Sequence, residues 1–274
     1  MTSNFKPKLL LATNSLLVCF SFAFSSSALA QKENTAAFYT KEQLSQSFNA
    51  CTNLFPNRST EFTKIFNDQW RPAALCSNNF AVYYSKLSKT PLVVVEKLNA
   101  AILRDAKGEE RTENFYPDPR LKREDSASLA DYRGSGFDRG HQSPAGNAPD
   151  QISMNQTFAL SNMIPQDPTH NRKVWNKLEQ DVRKYVLRAS GNVFVYTGPL
   201  FNDRPVKTIG KGGVWVPSHV YKLVYDESSG RAWGWVLENT ANAKATRPYD
   251  YAQFVSRTGL KLINPALVKG GVAN

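Results

Sequence analysis

The sequence predicts an α+β fold, an antiparallel β-sheet core flanked by helices. Segments rich in Val, Tyr and Phe come in runs joined by short turn signals. Phe80–Leu87 leads to Pro91–Leu98 through Ser88-Lys89-Thr90, and Val214–Tyr225 leads to Ala232–Leu237 through Ser228-Ser229-Gly230. Between these runs, Arg172–Leu187 sets Trp175, Leu178, Val182, Tyr185 and Val186 at helical spacing. Strands in runs with helices between them are the pattern of an antiparallel sheet with helices packed on it. At 274 residues and 41% hydrophobic content, the chain can bury a proper core in one unit.

Taken in order, the first element is a leader. Lys6 and Lys8 open it, Leu16–Phe24 is a short apolar stretch, and residues 25–30 end in Ala-Leu-Ala, a pattern that signal peptidase cuts. The apolar run is too short to span about 30 Å of hydrocarbon, so residues 1–30 read as a cleaved signal peptide, with no membrane insertion afterwards. The chain is then secreted or periplasmic. Cleavage removes Cys19 and leaves Cys51 and Cys76 as the remaining thiols in an oxidising compartment, where they are expected to form a disulfide. Residues 31–79 read as an N-terminal extension, with a short helix starting at a Thr40/Gln43 capping box. Residues 80–268 form the main domain. Within it, residues 105–136 are polar and carry Pro117 and Pro119, which predicts a long surface connection. Thr157–Leu160 alternates like a strand that feeds the Arg172–Leu187 helix, and Val193–Thr197 reads as a further strand.

Composition narrows the chemistry. With three His and three Cys scattered along the chain, a zinc centre built on four cysteines, on two cysteines and two histidines, or on three histidines is very hard to assemble. The net charge is +11, and +9 after residue 30. That excess suits either a merely soluble surface or a polyanionic partner, nucleic acid first. Charge does not decide between them.

The informative segment is Gly134-Ser135-Gly136-Phe137-Asp138-Arg139-Gly140-His141. It sets a His beside an Asp and an Arg, with glycines that let backbone approach a ligand. Downstream, Asn171 stands at the expected helix start, where an Asn is also a good cap. Glu179 and Arg183, one turn apart, share a face and would serve equally as a surface ion pair.

Together, Asp138-Arg139-Gly140-His141, the Asn171-x-x-x-Trp175-x-x-Leu178-Glu179 helix, Ser161-Asn162-Met163 and Thr197-Gly198-Pro199 resemble the DNA/RNA non-specific endonucleases, which carry a ββα-metal (His-Me) finger. The resemblance covers about Phe80–Asn264 and looks most like the cyanobacterial secreted branch, on Arg111 and Arg183; in another bacterial branch the first arginine falls two places later, where this chain has Glu113.

The resemblance implies an exported endonuclease that hydrolyses DNA and RNA phosphodiesters to 5′-phosphate and 3′-hydroxyl ends, with nucleic acids as partners. His141 would be the general base, and Asn171 the direct ligand of Mg2+, with Mn2+ as a substitute. Glu179 would order water around the cation. Arg111, Arg139 and Arg183 would bind substrate phosphate, Asp138 and Arg139 would be positional, and Asn162 would support the site. His170 and His219 have no role in this scheme and read as structural or surface residues. Two rival readings are a non-catalytic nucleic-acid-binding protein and a nuclease toxin, and a protein inhibitor is an open question.

Overall fold

A computed structural model describes residues 1–2 and 35–271. The leader read over residues 1–30 lies, apart from residues 1–2, outside the described residues. At the centre is a seven-stranded sheet, antiparallel throughout. Its strands are β1 (Pro72–Cys76), β2 (Phe80–Ser85), β3 (Thr90–Leu98), β6 (Val193–Leu200), β9 (His219–Asp226), β10 (Arg231–Glu238) and β11 (Tyr249–Asp250), in that spatial order. Two small pairs stand apart, β4 (Asp138–His141) with β5 (Met163–Gln166) and β7 (Thr208–Ile209) with β8 (Val214–Trp215).

Both faces of the sheet are covered, so β3, β6 and β9 are buried almost end to end rather than alternately. On one face, Val93, Val95, Phe194, Tyr196, Tyr221, Leu223 and Tyr225 meet Phe48, Leu54, Phe55 and Phe62 of the N-terminal extension, and Phe254 of a C-terminal helix (Tyr251–Thr258). The expected Cys51–Cys76 disulfide is present and ties a 3-10 turn of that extension to β1, which lies within residues 31–79 yet forms the edge strand of the central sheet. The opposite face carries Val195 and Val224, packed against Val182 and Val186 of the long helix.

The hairpin at residues 80–98 and the strands at 193–197 and 232–237 form as the sequence predicts. Four local expectations are corrected. The Thr40/Gln43 reciprocal bonds form at 3.0 and 3.3 Å, yet the segment stays a turn; Gln43 also donates to Asn78 at 3.0 Å, a tertiary anchor that holds it there. Thr157–Leu160 is no strand: Gln151–Thr157 is helical, Leu160–Asn162 is a 3-10 turn, and one parallel bridge joins Ala159 to Tyr116. Residues 105–136 are not merely a surface connection, because Tyr116, Asp118, Arg120, Leu121 and Tyr132 are buried. Val214–Tyr225 breaks into β8 and β9 around Pro217, whose missing N–H cannot serve a central ladder.

The helix expected over Arg172–Leu187 starts earlier, as a π turn, His170–Trp175, that runs into an α-helix, Asn176–Val186. Trp175, Leu178, Val182 and Val186 are its buried stripe, as their spacing predicts. Asn171 is not its cap. Asp167 does that work, accepting from the backbone N–H groups of Thr169 and His170 at 2.8 and 3.0 Å. No helix among the described residues is long and apolar enough to cross a membrane.

Candidate active site

The strand β4 is the spine of the site. Gly134 and Gly136, at φ +68° and +81°, turn the chain into it. Gly140 is required by close approach: a Cβ there would lie 2.0 Å from Oε1 of Gln166 on β5. Period-2 geometry sends Arg139 and His141 to one side of β4. There the Arg139 guanidinium lies 4.1 Å from the centre of the Phe115 ring. The imidazole of His141 packs against Phe115 and edge-on against Phe158, with ring centres 5.7 and 4.9 Å apart. Arg111, half-exposed, lies 5.2 Å over the other aromatic, Phe158.

This cage decides the charge of His141. Burial pushes its pKa down to about 3, and the nearby Arg111 and Arg139 push in the same direction. Its Nε2 is buried without a hydrogen-bond partner among the described residues. The ring is therefore neutral at physiological pH, with a lone pair to accept a proton.

On the other side of β4, Asp138 accepts from Arg172 Nε and Nη2 at 2.9 and 2.6 Å and from Asn171 Nδ2 at 2.9 Å. Burial alone would raise the Asp138 pKa, but the bonds from Arg172 and Asn171 outweigh it and hold the carboxyl below its ordinary value. The Asn171 amide is thereby oriented. Its NH2 group faces Asp138, so its Oδ1 is turned away and left to accept.

From the long helix, Glu179 and Arg183 reach the same region, but not as a surface pair. Arg183 Nη1 instead donates to Asn147 Oδ1 at 3.2 Å. Burial raises the Glu179 pKa, against the attraction of Lys222, Arg183 and Arg111. Arg111 thus acts on both His141 and Glu179, which places the strand and the helix around one basic centre. A hollow of about 430 Å3 lined by Leu129, Tyr132, Arg133, Phe137, Asp138 and Arg139 adjoins β4.

Asn162 sits behind the site, not in it. It is fully buried, accepting from Ser143 N at 2.9 Å and donating to Ser143 O and Thr157 O at 2.9 and 2.8 Å. His170 is structural: it is buried, bonded through Nδ1 to Gln166 at 2.8 Å and packed on Trp175. His219 pairs with the Ser218 hydroxyl at 3.0 Å.

Sequence reasoning missed four groups here. Phe115 and Phe158 form the cage, and Arg172 clamps Asp138. The fourth is a charged cluster on the sheet beneath, comprising Glu96 of β3 and Lys222 of β9, both buried. Lys222 donates to Thr197 Oγ1 at 2.8 Å. Burial pushes the Lys222 ammonium down and raises the Glu96 carboxyl to about 7, against Lys222 and the bonds from Asn147 and Ser143. A charged residue inside an apolar strand, as in Val94-Val95-Glu96 and Lys222-Leu223-Val224, was the signal available.

The donor set can be tested for a cation. Among the described residues there is no grouping of three or more His, Cys, Asp or Glu suited to a metal. Mg2+ keeps most of its waters and accepts few protein ligands, so a single oriented amide oxygen with a carboxylate nearby fits it.

Comparison with known proteins agrees with this geometry. Residues 57–262 match the family described as DNA/RNA non-specific endonuclease. Human mitochondrial endonuclease G is 39% identical over 162 residues, 56% of this chain and 54% of that protein. Nuclease C1 of Cunninghamella echinulata var. echinulata is 38% identical over 159 residues, 53% of this chain and 62% of that protein. The chain thus matches only about half to three-fifths of the length of these relatives. Among solved structures, the crystal structure of the EndoG/EndoGI complex aligns at a TM-score of 0.64 and 28% identity, covering 72% of this chain and 89% of that one. With the match extending over most of the sheet, the finger and the helix that carries Glu179, the chain belongs to the DNA/RNA non-specific endonuclease family.

Proposed function

We propose that the chain is an exported, Mg2+-dependent endonuclease that hydrolyses DNA and RNA phosphodiesters without sequence preference, leaving 5′-phosphate and 3′-hydroxyl ends. The observation that carries it is the imidazole of His141, caged by Phe115 and Phe158 with its Nε2 free of any hydrogen-bond partner among the described residues, on the strand whose Asp138 orients Asn171.

Each residue then has a task. His141 takes a proton from a water, which attacks phosphorus as the proton leaves. Arg111, Arg139 and Arg183 offer guanidinium N–H groups to the phosphate oxygens and offset the charge that builds there. Asn171 Oδ1 would hold Mg2+, with Glu179 ordering water around it. The cation supplies charge neutralisation at phosphate and stabilisation of the leaving 3′ oxygen. Grip on phosphate rather than base edges gives sequence indifference, and no residue named here depends on a 2′-hydroxyl.

The assignment to the cyanobacterial branch rests on Arg111 and Arg183. Export is supported by the leader-like sequence and by the Cys51–Cys76 bond, which suits an oxidising compartment. A protein inhibitor is a further part of the proposal, since the EndoG structure aligned here was solved with EndoGI and is described as showing the mechanism of EndoG inhibition.

Digestion of plasmid and of RNA by the purified chain with Mg2+ is the test. His141→Ala should lower the rate by about 10²–10⁴-fold, the range for a lost general base, with the fold intact by circular dichroism. Undiminished cleavage by that variant, or in excess chelator, would sink the proposal.

A further inference from the structure

We propose that Glu96 and Asn147 are positioning residues that hold the Arg183 guanidinium in place for its work at the scissile phosphate. The inference rests on the nuclease reading above.

The chain of contacts is short. Glu96, 2% exposed on the central strand β3, accepts from the Ser143 hydroxyl at 3.1 Å and from Asn147 Nδ2 at 3.0 Å. Asn147 passes the contact on, since its Oδ1 accepts from Arg183 Nη1 at 3.2 Å. Glu96 Oε1 accepts at both of its contacts and a guanidinium can only donate, so the Asn147 amide between them turns its NH2 to Glu96 and its oxygen to Arg183. An Asp at 147 would set two carboxylates against each other. An apolar residue there would leave both charged groups without that partner.

The relay also anchors the loop that leaves His141. Ser143 bonds Glu96 through its hydroxyl, while its backbone N–H and C=O are both held by Asn162, at 2.9 Å each. Gly146, between Ser143 and Asn147, is close to the same guanidinium: a Cβ there would come within 3.6 Å of Arg183 Nη1. The base and the arginine are thus referred to one buried point on the sheet. Lys222 supplies the opposite charge nearby, bonded to Thr197 and lying 5.0 Å from the centre of the Trp175 ring.

The second reason to read this as positioning is cost. Burying a carboxylate in a sheet that would pack better with an aliphatic residue weakens the fold unless the carboxylate is bonded and paired. Glu96 is bonded on the side of the site, which is where rigidity serves the chemistry.

The experiment is a double-mutant cycle with a spectroscopic arm. Asn147→Ala should lower kcat about 10–100-fold, the range for loss of an outer partner, with KM changed less than about twofold. In an Arg183→Ala background, the same substitution should cost less than about threefold, because the group it positions is gone. Glu96→Gln, which keeps the shape and one acceptor oxygen, should retain more activity than Glu96→Ala. Should Asn147→Ala fail to fold, Asn147→Ser, which stays polar but is too short to span from Glu96 to Arg183, carries the same measurements with the same expected losses.

Independently of turnover, the Arg183 guanidinium N–H signals in 15N NMR should be resolved in the wild-type chain and averaged with the exposed arginines in Asn147→Ala. Equal fold-losses in both backgrounds, or Arg183 signals untouched by Asn147→Ala, overturn the relay. A wild-type chain that cleaves neither DNA nor RNA would defeat the nuclease reading instead, and the NMR result would still decide whether Asn147 holds Arg183.

Discussion

At the scale of single residues, the site depends on two orientations and one charge state. The charge is that of His141. Its native pKa is pushed below the ordinary value near 6.5, so an unfolded chain takes up this proton before the native one does. The stabilising effect of the neutral ring is therefore complete above the ordinary value and is lost as pH falls from about 6.5 toward about 3. The Cε1–H resonance of His141 should keep its neutral-imidazole position from pH 8 down to 5. A midpoint at 6.5 would show that the cage does not desolvate the ring. The orientations are those of Asn171, set by Asp138, and of Arg183, set by Asn147. Asp138→Asn replaces an obligate acceptor by an amide that can turn its own NH2 toward Asn171. It should raise the Mg2+ concentration needed for half-maximal cleavage by about 10–100-fold, while the thermal midpoint, read by calorimetry, moves by only a few degrees. An unchanged Mg2+ titration would show that Asn171 needs no such partner.

At the scale of elements, the β4–β5 pair is held by its closest point. Arg139 and His141 can face the cage only while Gly140 lets β4 lie against Gln166. Gly140→Ala puts a methyl 2.0 Å from Gln166 Oε1, which must be relieved by moving β5 or the Gln166 side chain. Overpacking of this kind costs about 1–3 kcal/mol, and the strand shift should abolish cleavage. Denaturant unfolding and plasmid nicking would check the two halves separately. The long helix shows the complementary case. Its apolar stripe, Trp175, Leu178, Val182 and Val186, settles which face is buried, and Arg183 follows on the flank that meets Asn147.

At the scale of the whole molecule, the sheet separates two tasks. One face is closed by Phe48, Phe55 and Phe62 of the N-terminal extension together with the C-terminal helix, and the other supports the site. The extension is fastened by the Cys51–Cys76 bond, which spans a sequence separation of 25 residues. A loop of that size is worth about 3 kcal/mol by chain entropy. Cys51→Ser with Cys76→Ser should lower the free energy of unfolding by about that amount. The activity of the folded double variant should survive, because neither thiol faces the site. Unfolding curves that coincide with those of the wild-type chain would show that apolar contacts alone hold the extension.

Much of this could be read along the chain. Runs rich in Val, Tyr and Phe with turn signals between them marked the hairpin at residues 80–98 and the strands at 193–197 and 232–237, and the 3.6-residue spacing marked the buried stripe of the helix, since that spacing sets which helical positions share a face. The stretch from Asp138 to His141, together with Asn171, Glu179 and Arg183, pointed to one site. What lies across space could not be read. The Thr40/Gln43 box looked like a helix start, but only the fold brings Asn78 to it. Thr157–Leu160 alternated like a strand, but the sheet left it no partner beyond one bridge to Tyr116. Residues 105–136 looked like solvent-exposed loop because the pairing of Asp118 with Arg120, at 2.6 Å and wholly buried, depends on the three-dimensional surroundings that desolvate both.

Local chemistry along the chain sufficed for the hairpin, the strands at 193–197 and 232–237, the buried stripe of the long helix, the motif and the cysteine pair, because each is specified by neighbours a few positions apart or by residue type. Only the packed structure could assign Glu96, Lys222 and Asn147 beneath Arg183, or make His141 neutral. Burial and hydrogen-bond partnership are properties of groups brought together from distant parts of the chain, and they exist only once the sheet, the finger and the helix have closed on one another.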